Sequence, residues 1–166
     1  MMENMKIDSM NIEMADAIAP LVADFRVALK VLKGLKATPD IASGKEEILE
    51  YLQAGWPCFA AIKNGNPIGY IVCRVEEPTV WVESIYVDPA FRRGGIAALL
   101  YEKAEEIARS YGEDTVYNNV HPNNEKMIAF LRKRGYTVLN LIEIRKSWKN
   151  ETCMQKIKVG NNTFDY

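Results

Sequence analysis

Four consecutive residues, Arg92-Arg93-Gly94-Gly95, offer the chemistry most easily read from this chain. They lie within VDPAFRRGGIAALLY, Val87 to Tyr101, where a strand-like run stops at Asp-Pro and a helix-like run starts after the glycines. A helix N-terminus carries partial positive charge and several backbone N–H groups without partners. A glycine-rich turn lets an anion approach those groups closely, and two guanidinium groups add charge at the same place. The unit fits a phosphate or pyrophosphate. The plainer alternative is a surface loop with solvated arginines and glycines that permit a turn. Neither the P-loop pattern GxxxxGK(S/T) nor the dinucleotide pattern GxGxxG occurs.

A second candidate is Glu83, a carboxylate inside an otherwise apolar strand-like run, nine residues before Arg92. Such a group is costly to bury unless it is partnered or functional. It is either functional or a solvent-facing residue on a half-exposed strand. His121, the only histidine, lies in a loop and reads as solvated or locally hydrogen-bonded. With no second histidine and no cysteine cluster to join it, no metal site is expected. Cys58, Cys73 and Cys153 are widely spaced and odd in number, which suits small buried or half-buried hydrophobes in a reducing compartment.

The elements that must position these groups come from one domain, expected to span 1–166. Lys and Arg number 21 against 22 Asp and Glu, a balance that argues against a nucleic-acid partner. No run approaches the ~18 apolar residues of a membrane span. The acid-containing N-terminus lacks the apolar core of a signal peptide, so a cytoplasmic location without a membrane partner is expected. Apolar periodicity predicts a helix over Met14–Leu32, starting near Ala19 because Pro20 suits a first turn. Ser43 and Glu46 form a capping-box signature that opens a second helix through Leu52. Strand-like runs follow at Cys58–Lys63, Ile68–Val75 and Thr79–Val87, joined by turn signals. A helix over Gly95–Tyr111 is closed by Gly112, then come a strand over Thr115–Val120, a helix over Asn124–Arg134 and a strand over Tyr136–Ile144. The tail from Lys149 has a strand-like core, Met154–Val159, that either adds an edge strand or reaches a second subunit.

Two segments resemble a known family. Arg92 to Ala97 fits (Q/R)-x-x-G-x-(G/A), similar to the acetyl-CoA pyrophosphate loop of the GNAT family of N-acetyltransferases. Asn124 to Tyr136, NEKMIAFLRKRGY, resembles that family's later segment, N-x-x-(A/M)-I-x-F-(Y/L)-x-(K/R)-x-G-(F/Y). The resemblance implies an α/β fold with a mixed, mostly antiparallel central sheet flanked by helices. It also implies acetyl-CoA as co-substrate and no metal. Backbone groups of Ile85, Tyr86 and Val87 would pair with the pantetheine amides like an added strand edge. Arg92 would add charge, and amides from Arg93, Gly94, Gly95, Ile96, Ala97 and Ala98 would cradle the pyrophosphate. Asn124 would hydrogen-bond the pantetheine arm or serve as a helix N-cap, and Met127 would join the cofactor site.

Acetyl transfer to an amine needs a neutral nucleophile and a proton for the departing thiolate. The resemblance assigns the base to Glu83. At Leu131, where many relatives carry a proton-donating tyrosine, this sequence departs. Tyr117, Tyr136 or water would replace that donor, or catalysis is lost. The implied activity is N-acetylation of a primary amine, with polyamine-, aminoglycoside- or amino-acid-like small molecules ranked above protein lysines and N-termini. A non-catalytic acyl-CoA sensor is the alternative. A homodimer is expected by analogy with relatives.

Overall fold

The strand-like segments can form a sheet only by pairing with one another, and they do so largely in chain order. The computed structural model describes residues 4–166. The chain divides into two compact units, Met1–Asn119 and Val120–Tyr166. In the first unit, β1 (Met5–Ser9) precedes helices α1 (Ala15–Leu32) and α2 (Ile41–Gln53). A meander follows: β2 (Cys58–Lys63), β3 (Asn66–Glu76) and β4 (Thr79–Val87), with helix α3 (Ile96–Ser110) leading to β5 (Tyr117–Asn118). The sheet order is β1-β2-β3-β4-β5, antiparallel throughout except for the parallel β4–β5 pair. This is the expected mixed, mostly antiparallel α/β arrangement.

Local chemistry departs from expectation at both early helices. α1 starts at Ala15, not near Ala19, because a 3-10 turn over Ile12–Met14 precedes it. Asn11 caps that turn, its Oδ1 accepting from Met14 N at 3.3 Å. Pro20 therefore lies inside the helix, at a cost of about 3 kcal/mol. Burial of Ile18, Leu21 and Val22 contributes about 1.5–3 kcal/mol each and outweighs it. α2 is capped by Asp40, not by a Ser43–Glu46 box. Asp40 Oδ1 accepts from Ser43 N at 3.0 Å and Oδ2 from Ser43 Oγ at 2.9 Å, so the carboxylate three residues earlier satisfies the amide first. Those hydrogen bonds hold the Asp40 carboxyl below its usual range.

Ile18, Val22 and Ile48 of the two helices are fully buried in one cluster with Ala60, Tyr70 and Val72 of the sheet. The helices cross closely: a Cβ built on Gly44 would lie 2.5 Å from the Ala19 carbonyl oxygen. α3 packs on β2, β3 and β4, burying Leu100, Tyr101 and Ala104 completely. No helix among the described residues is long and apolar enough to cross a membrane.

The second unit holds α4 (Glu125–Lys133) and a separate hairpin, β6 (Lys156–Val159) with β7 (Asn162–Asp165). The strand expected over Tyr136–Ile144 does not form. Its backbone finds no ladder partner among the described residues, and Val138, Leu139 and Leu141 are exposed. The strand expected over Thr115–Val120 shrinks to the two residues of β5 that reach β4. Met154–Val159 starts two residues late, as β6, and pairs within its own hairpin.

Candidate active site

The β4–α3 turn is built for positive φ. Asp88 ends the strand and caps a 3-10 turn over Pro89–Phe91, its Oδ1 accepting from Ala90 N at 2.8 Å. Arg93 follows in the left-handed region at φ 66°, and Gly95 at φ 81° is the residue from which α3 departs. Among the described residues no side chain caps α3, and its first intrahelical amide is Leu99 N, bonded to Gly95 O at 3.1 Å. The N–H groups of Ile96, Ala97 and Ala98 are thus the unpaired first-turn donors of the helix. Gly94 and Gly95 are exposed, Ala97 and Ala98 half-buried. A Cβ on Gly95 would meet no atom within 4 Å among the described residues, so backbone conformation, not crowding by the protein, demands glycine there.

The two arginines part company. Arg93 is exposed in the turn. Arg92 folds back: its Nε donates to Val87 O at 2.8 Å, and its guanidinium lies 5.1 Å from the Tyr86 ring centroid. It braces the end of β4. Burial raises the Tyr86 hydroxyl above its ordinary range, with the nearby Arg92 charge opposing the shift.

β4 and β5 touch only where Trp81 pairs with Tyr117 and Val82 with Asn118. The two rings lie 5.0 Å apart at that last contact. Beyond it the β5-facing edge of β4, from Glu83 to Val87, has no strand partner among the described residues. Ile85 and Tyr86 are half-buried and Val87 buried along this edge.

Glu83 occupies a bulge. On the other side of β4, Ser84 pairs with Val72 and Val82 with Cys73, so Glu83 is the extra residue. Its exposed carboxylate accepts from Arg74 Nε at 3.2 Å through Oε2. Arg74 also bonds Glu76 and lies 5.0 Å from the Trp81 ring centroid.

A second polar cluster stands on the helices. Arg26 Nε donates to Glu47 Oε2 at 2.7 Å, its Nη2 donates to Tyr51 Oη at 3.1 Å, and Tyr51 Oη donates to Glu47 Oε1 at 2.9 Å. Tyr51 stacks on Trp56 at 5.2 Å. Burial, then the bond to Glu47, pushes the Tyr51 hydroxyl upward, and the Glu83 charge adds to the shift. Tyr70 Oη and Ser84 Oγ are buried as neighbours: burial pushes the Tyr70 hydroxyl upward, and the adjacent Ser84 hydroxyl opposes the shift.

A sequence model of the acetyltransferase (GNAT) family matches residues 32–136. The chain belongs to this family. An uncharacterized N-acetyltransferase of Methanocaldococcus jannaschii is 32% identical over 97 residues, covering 54% of this GNAT chain and 42% of that relative's length. Solved GNAT-like structures share the fold. The ribosomal-protein-alanine N-acetyltransferase of Brucella melitensis superposes with a TM-score of 0.66 at 21% identity, covering 87% of this chain and 99% of the other. PaiA N-acetyltransferase of Thermoplasma acidophilum, in complex with coenzyme A, gives 0.67 at 19% identity, covering 78% and 87%. The aminoglycoside N-acetyltransferase AAC(6')-Iy with a bisubstrate analogue gives 0.64 at 23% identity, covering 87% and 99%.

Within this GNAT chain, the first unit brings together Glu83, Ile85, Tyr86, Val87 and the turn from Arg92 to Ala98. Asn124 and Met127 belong to the second unit. There Asn124 is the N-cap of α4, its Oδ1 accepting from Met127 N at 3.2 Å. Leu131 is the buried residue of that helix. His121 Nδ1 accepts from Asn123 N at 3.1 Å, the local bonding expected of it. No group of three or more metal-ligating side chains occurs among the described residues. Sequence reasoning missed Arg74, Arg26 and Tyr51. Arg74 had a visible signal, a lone cation in the apolar run of β3, one short turn before Glu83.

Proposed function

We propose that this GNAT chain transfers the acetyl group of acetyl-CoA to a primary amine of a small molecule. One observation carries the reading: the unpaired amides of α3, the open edge of β4 and the Glu83 carboxylate all flank one strand. The residues present fit the cofactor. Arg93 and the amides of Ile96, Ala97 and Ala98 suit a pyrophosphate, and the edge from Ile85 to Val87 suits the amides of a pantetheine arm. Acetyl-CoA supplies an activated acetyl group as a thioester. Glu83 accepts the proton that the amine must lose, directly or through water. The preformed turn and the Arg92 brace fix the end of β4 before any ligand arrives.

Small-molecule acceptors of polyamine, aminoglycoside or amino-acid type rank above peptides. Glu83 keeps one carboxylate oxygen without a partner among the described residues, which suits a cationic acceptor. The fold likeness to an aminoglycoside N-acetyltransferase adds to this, although one to a ribosomal-protein-alanine N-acetyltransferase stands beside it.

Calorimetric titration with acetyl-CoA, with ATP and NAD as controls, tests the cofactor. Release of free thiol against a panel of amines tests the chemistry. Glu83→Gln is expected to lower kcat at least tenfold while leaving acetyl-CoA binding unchanged. Leu131, which cannot donate a proton, favours a second reading as an acyl-CoA sensor. Binding without amine-stimulated thiol release would establish that reading instead.

A further inference from the structure

The proposed reaction asks two things of the Glu83 carboxylate: one oxygen must be free to take a proton, and the group must be held still. Both are visible. The Arg74 guanidinium contacts Oε2 alone, through Nε, and Oε1 has no partner among the described residues. A paired fork would have occupied both oxygens. Arg74 is itself fixed from two other directions, by Glu76 through Nη1 and by the Trp81 ring beneath it. The bulge contributes as well. Glu83 lies two residues from Trp81, so strand alternation puts both side chains on the Arg74 side, and the bulge leaves Glu83 without a cross-strand partner of its own on β3. From α2, the Tyr51 hydroxyl lies within electrostatic reach of Glu83, and the Arg26–Glu47 pair holds Tyr51 in place.

We propose that Arg74 is a positioning residue for the acyl transfer, anchoring one oxygen of Glu83 so that the other faces the acceptor amine. The inference rests on the reading of Glu83 as the base. Arg74 touches neither substrate nor cofactor in this scheme and acts only through Glu83. A surface ion pair with no such role would be worth little and would not need a ring, a second carboxylate and a bulge to orient it.

The test is a double-mutant cycle on the full chain. Misplacing a reacting group by about 1 Å can cost on the order of 100-fold, so Arg74→Ala is expected to lower kcat about 10- to 100-fold. The KM and calorimetric Kd for acetyl-CoA should stay within about twofold, because the anchor is not part of the pyrophosphate turn. Arg74→Lys keeps a cation but loses the fixed guanidinium plane, and should recover part of the loss. In a Glu83→Gln background, Arg74→Ala should change kcat by less than about twofold, since nothing remains to position. Equal losses from Arg74→Ala in both backgrounds would mean that Arg74 acts independently of Glu83, and the proposal would fall while the base stood. Glu83→Gln with full kcat would remove the base and the positioning role together. If Arg74→Ala does not fold, Arg74→Gln, which still reaches over Trp81, carries the same comparison.

Discussion

Gly95 separates what a backbone needs from what a ligand needs. At φ 81° an alanine would be strained by about 1–2 kcal/mol, yet its methyl group would touch nothing in the protein among the described residues. Gly95→Ala is therefore expected to lower the thermal midpoint modestly. Gly95→Glu should add the loss of all calorimetric heat with acetyl-CoA, because it sets a negative charge at the unpaired amides of α3. The cysteines give a second measurement. Burial pushes the Cys58 and Cys73 thiols up to about 12, whereas Cys153 is exposed. A thiol reagent at pH 8 should modify one cysteine per native chain and three after denaturation. The sign for stability follows: both thiols stay protonated when folded, so unfolding gains as pH rises above about 9, and stability is lost progressively toward 12. Much of the site was legible at this scale because the Arg92–Ala98 turn is local, its glycines and arginines adjacent in the chain. The partners of Glu83 and Tyr51 were not, since Arg74 and Arg26 reach them through space from other elements.

Among elements, the α1–α2 crossing is the most sensitive joint. Alanine in place of a mid-helix glycine is normally favoured by about 0.5–1 kcal/mol. At Gly44 the new methyl group would meet the Ala19 carbonyl at 2.5 Å, and overpacking of that kind costs about 1–3 kcal/mol. The clash wins. Gly44→Ala should be net destabilising by chemical denaturation, and Tyr51, on the same helix, should shift with it. Elements bounded by their own turns were readable, as with the β2–β3–β4 meander and the glycine-terminated α3. β1 was not expected: Met5–Ser9 opens with the apolar–polar alternation of a strand, but so short a run takes its strand structure from pairing with β2. The reverse holds for residues 136–144, whose composition suits a strand but whose backbone has no ladder partner among the described residues. Pairing decides strands, and pairing is not a local property.

At the scale of the whole molecule, two short motifs between Thr79 and Tyr136 were enough to indicate the family that the match over residues 32–136 establishes. Ligand linkage gives a test at this scale. Acetyl-CoA at 100 times its Kd would stabilise the unit that binds it by about 2.7 kcal/mol. At about 2–4 °C per kcal/mol, its unfolding midpoint should rise by about 5–10 °C, and ATP should leave it unmoved. The separation of β4 from β5 also carries its own optical gauge. Trp81 lies between the Arg74 guanidinium and the Tyr117 ring, at the point where β4 and β5 separate, and its indole N–H is buried without a bond among the described residues. Anything that wedges into the open strand edge must disturb the surroundings of that indole. With Trp56 and Trp148 replaced by phenylalanine, emission from Trp81 alone would report occupancy of the cleft in real time, without a label.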